Sequence, residues 1–176
     1  EVVVPGLLDF CLFVMYNQLV DKKLYGMHRF SAEIYRFLYK LFLSIQNDLF
    51  RAIKKQGSFR APMGFEEVPK LAQGVINLGV KMGEGWLLTA EMIELVTEGV
   101  DNIVCTQPFG CLPNHVAGKG MMKHIKEKYP QANIVAIDYD SGATKINQEN
   151  RIKLMLSNAR ENMQKKTQEA APASVK

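Results

Sequence analysis

Two cysteines and a histidine fall in one short run, Cys105-Thr106-Gln107-Pro108-Phe109-Gly110-Cys111-Leu112-Pro113-Asn114-His115. Thiolates in such a run could hold a soft metal or an iron–sulfur cluster. The two sulfurs are not equal candidates. Cys105 continues the apolar segment Ile103-Val104, and a buried free cysteine behaves as a small hydrophobe. Cys111 lies in a Gly-Cys-Leu-Pro turn, where packing gives no reason to prefer sulfur and where a following helix N-terminus would favour thiolate. Cys111 and Cys105 are therefore the metal-ligand candidates, in that order. By themselves they lack the ligand count of a zinc or cubane site. Cys11 sits in an apolar helical segment and reads as core.

Gly110, Pro113, His115 and Lys119 are the candidate cofactor-binding residues around this turn. His115 reads as a residue of a helix start or as a third ligand, the helix start being the simpler role. The string His115-Val116-Ala117-Gly118-Lys119-Gly120 resembles a phosphate loop only superficially. The glycine spacing is wrong, and no Ser or Thr follows the lysine. Lys119 could meet an anion near a helix start; a solvated lysine is the simpler reading. Asp138 and Asp140 end the next apolar run and could bind a metal, a ribose or nothing, turn capping being the plainest role. Glu84, between Gly83 and Gly85, lies where the backbone could approach a ligand closely.

The elements that must position these groups follow from periodicity. Val2-Val3-Val4, Asn102 to Thr106 and Asn133 to Asp138 read as strands, the last a continuous apolar run of the kind parallel sheets bury on both faces. Helices are expected over Leu7–Val20, from a Ser31 cap to about Gln56, over Phe65–Met82, Trp86–Glu98 and Val116–Tyr129, and after a Thr144 cap. The first helix is apolar almost all round and is expected to be buried. The second carries Ile34, Leu38, Leu41, Ile45, Leu49 and Ala52 on one stripe, read as its core face. Helices alternating with strands predict an α/β fold: a short parallel Rossmann-like sheet flanked by helices, behind a largely helical N-terminal half. The Cys111 turn then falls at the carboxyl end of a strand, where open α/β sheets bind ligands. Residues 1–163 are expected to form a single α/β domain and 164–176 a disordered tail.

Composition narrows the classes. The chain has 176 residues, 47% hydrophobic and 23% charged, ordinary for a globular domain. A net charge of +4 without a dense basic run argues against nucleic acid as a partner. The most apolar stretch, Leu7 to Tyr16, is interrupted by Asp9 and too short to span a membrane. Three cysteines do not suit a disulfide framework and fit a reducing cytoplasm. A start at Glu1 followed at once by a strand-like segment suggests a piece of a longer polypeptide.

Three stretches, Gly83 to Met92, Asn102 to His115 and Ala132 to Asp140, together resemble the C-terminal part of the CoA-substrate-specific enzyme activase family. That family is related to the activators and iron–sulfur subunits of 2-hydroxyacyl-CoA dehydratases, such as the 2-hydroxyglutaryl-CoA system, and of benzoyl-CoA reductases. The resemblance spans roughly residues 1–160 and is most specific over 83–156. It implies an anaerobic, cytoplasmic electron-transfer protein whose full length joins an ATPase portion to dehydratase-like domains holding an iron–sulfur cluster. It also implies an acyl-CoA dehydratase or reductase as partner, and it leaves a homodimer open. Cys111-Leu112-Pro113 matches the family's Cys-x-Pro turns, so Cys111 is the position carried over as a ligand; Cys105 is weaker. The ATPase domain, the phosphate loop and the upstream cysteine turns are missing from this sequence. The chain alone is accordingly expected to hydrolyse no ATP and to lack a complete cluster. The rival reading is an interaction or scaffold α/β domain whose cysteines are merely buried.

Overall fold

The computed structural model describes residues 2–26, 31–139, 142 and 144–170. Along them run α1 (Leu7–Tyr25), α2 (Ala32–Gln56), a short α3 (Val68–Ala72), α4 (Trp86–Thr97), β1 (Asn102–Pro108), α5 (Met122–Lys128), β2 (Asn133–Tyr139) and α6 (Lys145–Ala170). The chain divides into two compact units, Glu1–Glu94 and Leu95–Lys176. No described helix is long and apolar enough to cross a membrane.

The described residues of the first unit are all helix and loop. Its core joins Leu12 and Phe13 of α1 to Phe65, Val68, Ala72, Trp86, Leu87 and Ala90. Tyr16, Tyr39, Phe65 and Trp86 form an aromatic cluster with centroids 5.9–6.4 Å apart, distances at which tilted and edge-on rings attract.

Two expectations about helix faces are overturned here. In α1 the buried stripe includes Asp9, Asn17 and Asp21, while Leu7, Phe10 and Val14 are exposed. These polar groups go inward because each has a partner, as buried polar groups require. Asp9 Oδ1 accepts from Gln46 Nε2 at 2.7 Å, Asn17 Oδ1 accepts from Trp86 Nε1 at 2.9 Å, and Asp21 pairs with Lys81. In α2 the stripe Ile34, Leu41, Ile45, Leu49 is exposed rather than buried. The opposite side, with Tyr39, Phe42 and Leu43, packs on the core around buried Gln46. The helix has two apolar sides, and the aromatic one won the core.

Ser31 stands at the N-cap of α2 without a side-chain capping bond. The expected strand at Val2–Val4 is absent: these residues form no strand, and Val2 and Val4 are exposed. A three-residue segment with no neighbouring edge has nowhere to place its backbone hydrogen bonds. The helix expected over 65–82 shrinks to α3, since Gly74 at φ 80° and the turn Asn77–Val80 break it.

The second unit holds a two-stranded parallel sheet, β1 against β2, with Asn102 opposite Asn133 and Pro108 opposite Tyr139. The parallel pairing of these two segments is the one predicted from their apolar runs. β1 alternates exposed and buried residues, whereas β2 is mostly buried. Ile103, Ala117, Ile125, Ala132, Ile134, Ala136 and Ile137 are buried. Asn133 ties the sheet together: its Nδ2 donates to Asn102 Oδ1 and to the Met155 carbonyl of α6, both at 2.8 Å. α6 continues to Ala170, past the expected start of a tail, because Gln164–Ala170 contains no Gly or Pro to stop it. Residues 171–176 lie outside the described ones.

Candidate functional site

The candidate site is built where β1 ends. Pro108 closes the strand, and Gly110, at φ 73°, turns the chain back, a backbone region that L side chains rarely adopt. The Cys111 N–H then donates to the Pro108 carbonyl at 3.2 Å, and the Cys111 carbonyl accepts from the His115 N–H at 3.0 Å. Pro113 leads directly into a π-helical turn, Asn114–Gly118, followed by a 3₁₀ turn, Lys119–Met121, and only then by α5. The single helix expected over 116–129 is therefore three pieces. Gly118 and Gly120 are poor helix formers, and Gly118 adopts φ −88°, ψ −85°, outside the helical region. Single π turns inside helices frequently mark functional sites.

Within this turn Asn114 Nδ2 donates to Cys111 Sγ at 3.2 Å. Asn114 is itself fixed by Gln107, whose Nε2 donates to the Asn114 carbonyl at 2.8 Å. Gln107 is buried, and its Oε1 has no partner. Gly118 leaves room for its neighbours: a Cβ there would lie 3.2 Å from Cys105 Sγ, a tight contact, and 3.6 Å from Gln107 Nε2. So the two sulfurs occupy different settings. Cys105 is packed against the backbone at Gly118, and Cys111 is held by a side-chain amide.

All three cysteines are free thiols, and all three are partly exposed. This corrects the reading of Cys11 as full core; it lies on the flank of α1 between buried Leu12 and exposed Phe10. Around Cys111, the apolar residues Phe109, Leu112 and Val116 are exposed. Among the described residues no three His, Cys, Asp or Glu side chains come together as a metal-binding group. Cys111, with its amide donor, suits a ligand to iron; a full set would need side chains beyond those described.

The other candidates distribute as follows. Gly110 and Pro113 shape the Cys111 turn. His115 is half-buried and joins it through the backbone. Lys119 is exposed and faces a different feature, a groove of about 610 Å³ lined also by Lys123, Lys126 and Arg151 beside Ile134 and Ala136. Asp138 lines a smaller cavity of about 220 Å³ with Phe109, Asn147, Gln148 and Arg151. Its Oδ1 is buried and unpartnered. Gln148 Nε2 donates to the Asp138 carbonyl at 3.4 Å, and Arg151 Nη1 to the Ala136 carbonyl at 3.2 Å. Asp140 and Ser141 lie outside the described residues. Thr144 Oγ1 accepts from the Asn147 N–H at 3.4 Å, the cap expected for α6.

The Gly83–Gly85 turn has a structural cause. A Cβ on Gly85 would lie 2.2 Å from the Val80 carbonyl oxygen, which accepts from the Trp86 N–H at 2.7 Å. Sequence reasoning missed Gln107 and Asn114, which organise the Cys111 turn. Isolated amides carry no motif, and only the π turn brings them to the sulfur. The chain matches no family model, and neither the curated proteins nor the solved structures contain a match to it.

Proposed function

We propose that this chain is the C-terminal part of an activase or electron-transfer protein of the 2-hydroxyacyl-CoA dehydratase kind, working in an anaerobic cytoplasm, and that Cys111 is one ligand of an iron–sulfur site completed by other parts of a longer polypeptide. The observation that supports this reading is the setting of Cys111. It is a partly exposed free thiol at the carboxyl end of a parallel strand, oriented by Asn114 Nδ2 at 3.2 Å and bordered by exposed Phe109, Leu112 and Val116. Amide donors to cluster sulfur are a recognised means of tuning such centres. An apolar border around a thiol is suited to burial by a partner surface. A cluster held there would supply one-electron transfer at low potential. This chain would contribute a thiolate and the apolar wall that keeps water from it. ATP hydrolysis belongs, on this reading, to a separate ATPase portion, and the acyl-CoA enzyme is the electron acceptor. Cys105, packed at Gly118, has a structural role.

The test is the absorbance and iron content of the longer polypeptide purified without oxygen. A brown, iron-bearing protein supports the reading. A colourless one with no iron after anaerobic reconstitution rejects it in favour of an interaction domain, for which the same exposed apolar border would suffice.

A further inference from the structure

Among the described residues β2 is paired on one edge only. The Asn133 N–H donates to the Asp101 carbonyl at 2.7 Å, and that bond sets the phase of the parallel ladder. Asn133, Val135 and Ile137 turn their backbone groups toward β1, while Ile134, Ala136 and Asp138 turn theirs to the outer edge. Side chains of α6 fit this phase. Arg151 Nη1 donates to the Ala136 carbonyl at 3.2 Å, and Gln148 Nε2 to the Asp138 carbonyl at 3.4 Å. An added strand would need those carbonyls as acceptors, so α6 bars it.

The donors on this edge are left over. No described residue accepts from the Ile134 or Ala136 N–H, although both residues are buried. Buried backbone donors without a partner are rare, and a sheet edge that presents donors forms a concavity suited to anions. Of the outward acceptors beside them, only the Ile134 carbonyl is uncovered.

The surrounding charges have the matching sign. The groove of about 610 Å³ over this edge takes Lys119, Lys123 and Lys126 from one wall and Arg151 from α6. The three lysines recur at helical spacing and so share a side of their segment. The one carboxylate in the lining, Glu127, lies 3.8 Å from Lys123 Nζ and 3.4 Å from His124 Nδ1. No described carboxylate forms an ion pair with Lys119, Lys126 or Arg151. Arg151 is anchored by the Ala136 carbonyl through one of its five donors, which leaves others for an oxyanion.

We propose that this groove binds the diphosphate group of a small molecule, held by the Ile134 and Ala136 N–H groups, Arg151, Lys119 and Lys126. Lys119 and Lys126 stand roughly 10 Å apart along their segment, too far for one phosphate and suited to two joined ones. Met122 and Val135 supply apolar surface in the same groove, room for an organic part of the ligand. The site stands whether or not Cys111 holds iron.

Titration of the 176-residue chain with inorganic pyrophosphate, free of divalent cations and followed by calorimetry and amide NMR, tests this. The expected dissociation constant is at or below about 1 mM, with the Ile134 and Ala136 amide proton signals moving downfield. Inorganic phosphate is expected to bind about tenfold more weakly. Arg151→Gln is expected to weaken pyrophosphate binding about tenfold. Lys119→Gln, at an exposed position, is expected to weaken it about threefold with an unchanged circular dichroism spectrum. Lys153→Gln, which removes the same charge from α6 outside the groove, is expected to change nothing. ADP separates the sources of the diphosphate: tighter binding than pyrophosphate marks an ester, weaker binding the free ion, and both uphold the site. Pyrophosphate that leaves the two amides unmoved, or equal losses in Lys119→Gln and Lys153→Gln, overturns the proposal. An acidic peptide that binds along this edge where pyrophosphate does not overturns it equally.

Discussion

Replacing Gly85 by Ala separates a structural glycine from a ligand-approach glycine. The added Cβ would sit 2.2 Å from the Val80 oxygen, 2.9 Å from the Val80 carbonyl carbon and 2.8 Å from Lys81 Cα. These neighbours are backbone, so no side chain can swing aside. The Val80–Lys81 segment must move, and the Trp86 N–H loses its 2.7 Å bond. Three costs combine. Alanine at φ 45° costs about 1–2 kcal/mol. An unmet buried backbone donor costs about 1–3 kcal/mol. Displacing Trp86, fully buried among Phe13, Tyr16 and Phe65, adds a packing loss of about 1 kcal/mol. Against these, alanine stiffens the unfolded chain by about 0.4–1 kcal/mol. The net is a loss of roughly 2–6 kcal/mol. Gly57→Ala is the control: its φ is 80°, but nothing lies within 4 Å of the new Cβ, so only the backbone cost of about 1 kcal/mol applies. Urea unfolding followed by the fluorescence of Trp86, the single tryptophan, reads both variants at submicromolar protein. If Gly85→Ala falls within about 1 kcal/mol of Gly57→Ala, the steric argument is wrong and a ligand role for the turn regains its place.

Three further outcomes follow from the same structure. Burial, and then the nearby charges of Asp9, Glu94 and Glu84, push the half-buried Glu91 carboxyl from 4.5 up to about 8. Below 4.5 both folded and unfolded chains hold this proton. Between 4.5 and about 8 only the folded chain holds it, so stability falls as pH rises through that window and levels off above it, by at most about 5 kcal/mol. Glu91→Gln is expected to flatten this fall in urea titrations at pH 5, 7 and 9, gaining most at pH 9; parallel curves for the two proteins would refute it. Gln46→Ala is expected to cost about 2–4 kcal/mol, because Gln46 joins Asp9 at 2.7 Å and the Phe65 N–H at 3.1 Å, and both partners would be left unmet; thermal unfolding with a loss under 1 kcal/mol would contradict that. In the longer polypeptide, Asn114→Ala is expected to lower iron affinity about tenfold by removing the amide that orients Cys111, as read by competition with a chelator; unchanged retention would show that the amide serves the turn alone.

The legibility of the fold tracks the kind of force involved. The two parallel strands were readable because continuous apolar runs such as Ile134–Ile137 have few other places to go. Helix faces were harder. α2 is apolar on two sides, and the contest was decided by Tyr39 and Phe42 finding Phe65 and its neighbours, contacts that no local pattern encodes. In α1 the buried Asp9, Asn17 and Asp21 have partners far along the chain, Gln46, Trp86 and Lys81. A hydrophobicity pattern therefore assigns their face to solvent. At the candidate site, Cys111 stood out because a turn does not ask for sulfur, and it is a free, partly exposed thiol. Gln107, Asn114 and the glycine that lets Cys105 pack were silent. Their roles arise from a π turn that glycine placement permits but does not announce.

The central claim is that Cys111 ligates iron. Iron per chain should be measured in the anaerobically purified longer polypeptide, as wild type, Cys111→Ser and Cys11→Ala. The account predicts that Cys111→Ser loses most of its iron and its low-potential electron transfer, while Cys11→Ala keeps both. Full iron and an unchanged transfer rate in Cys111→Ser would contradict it.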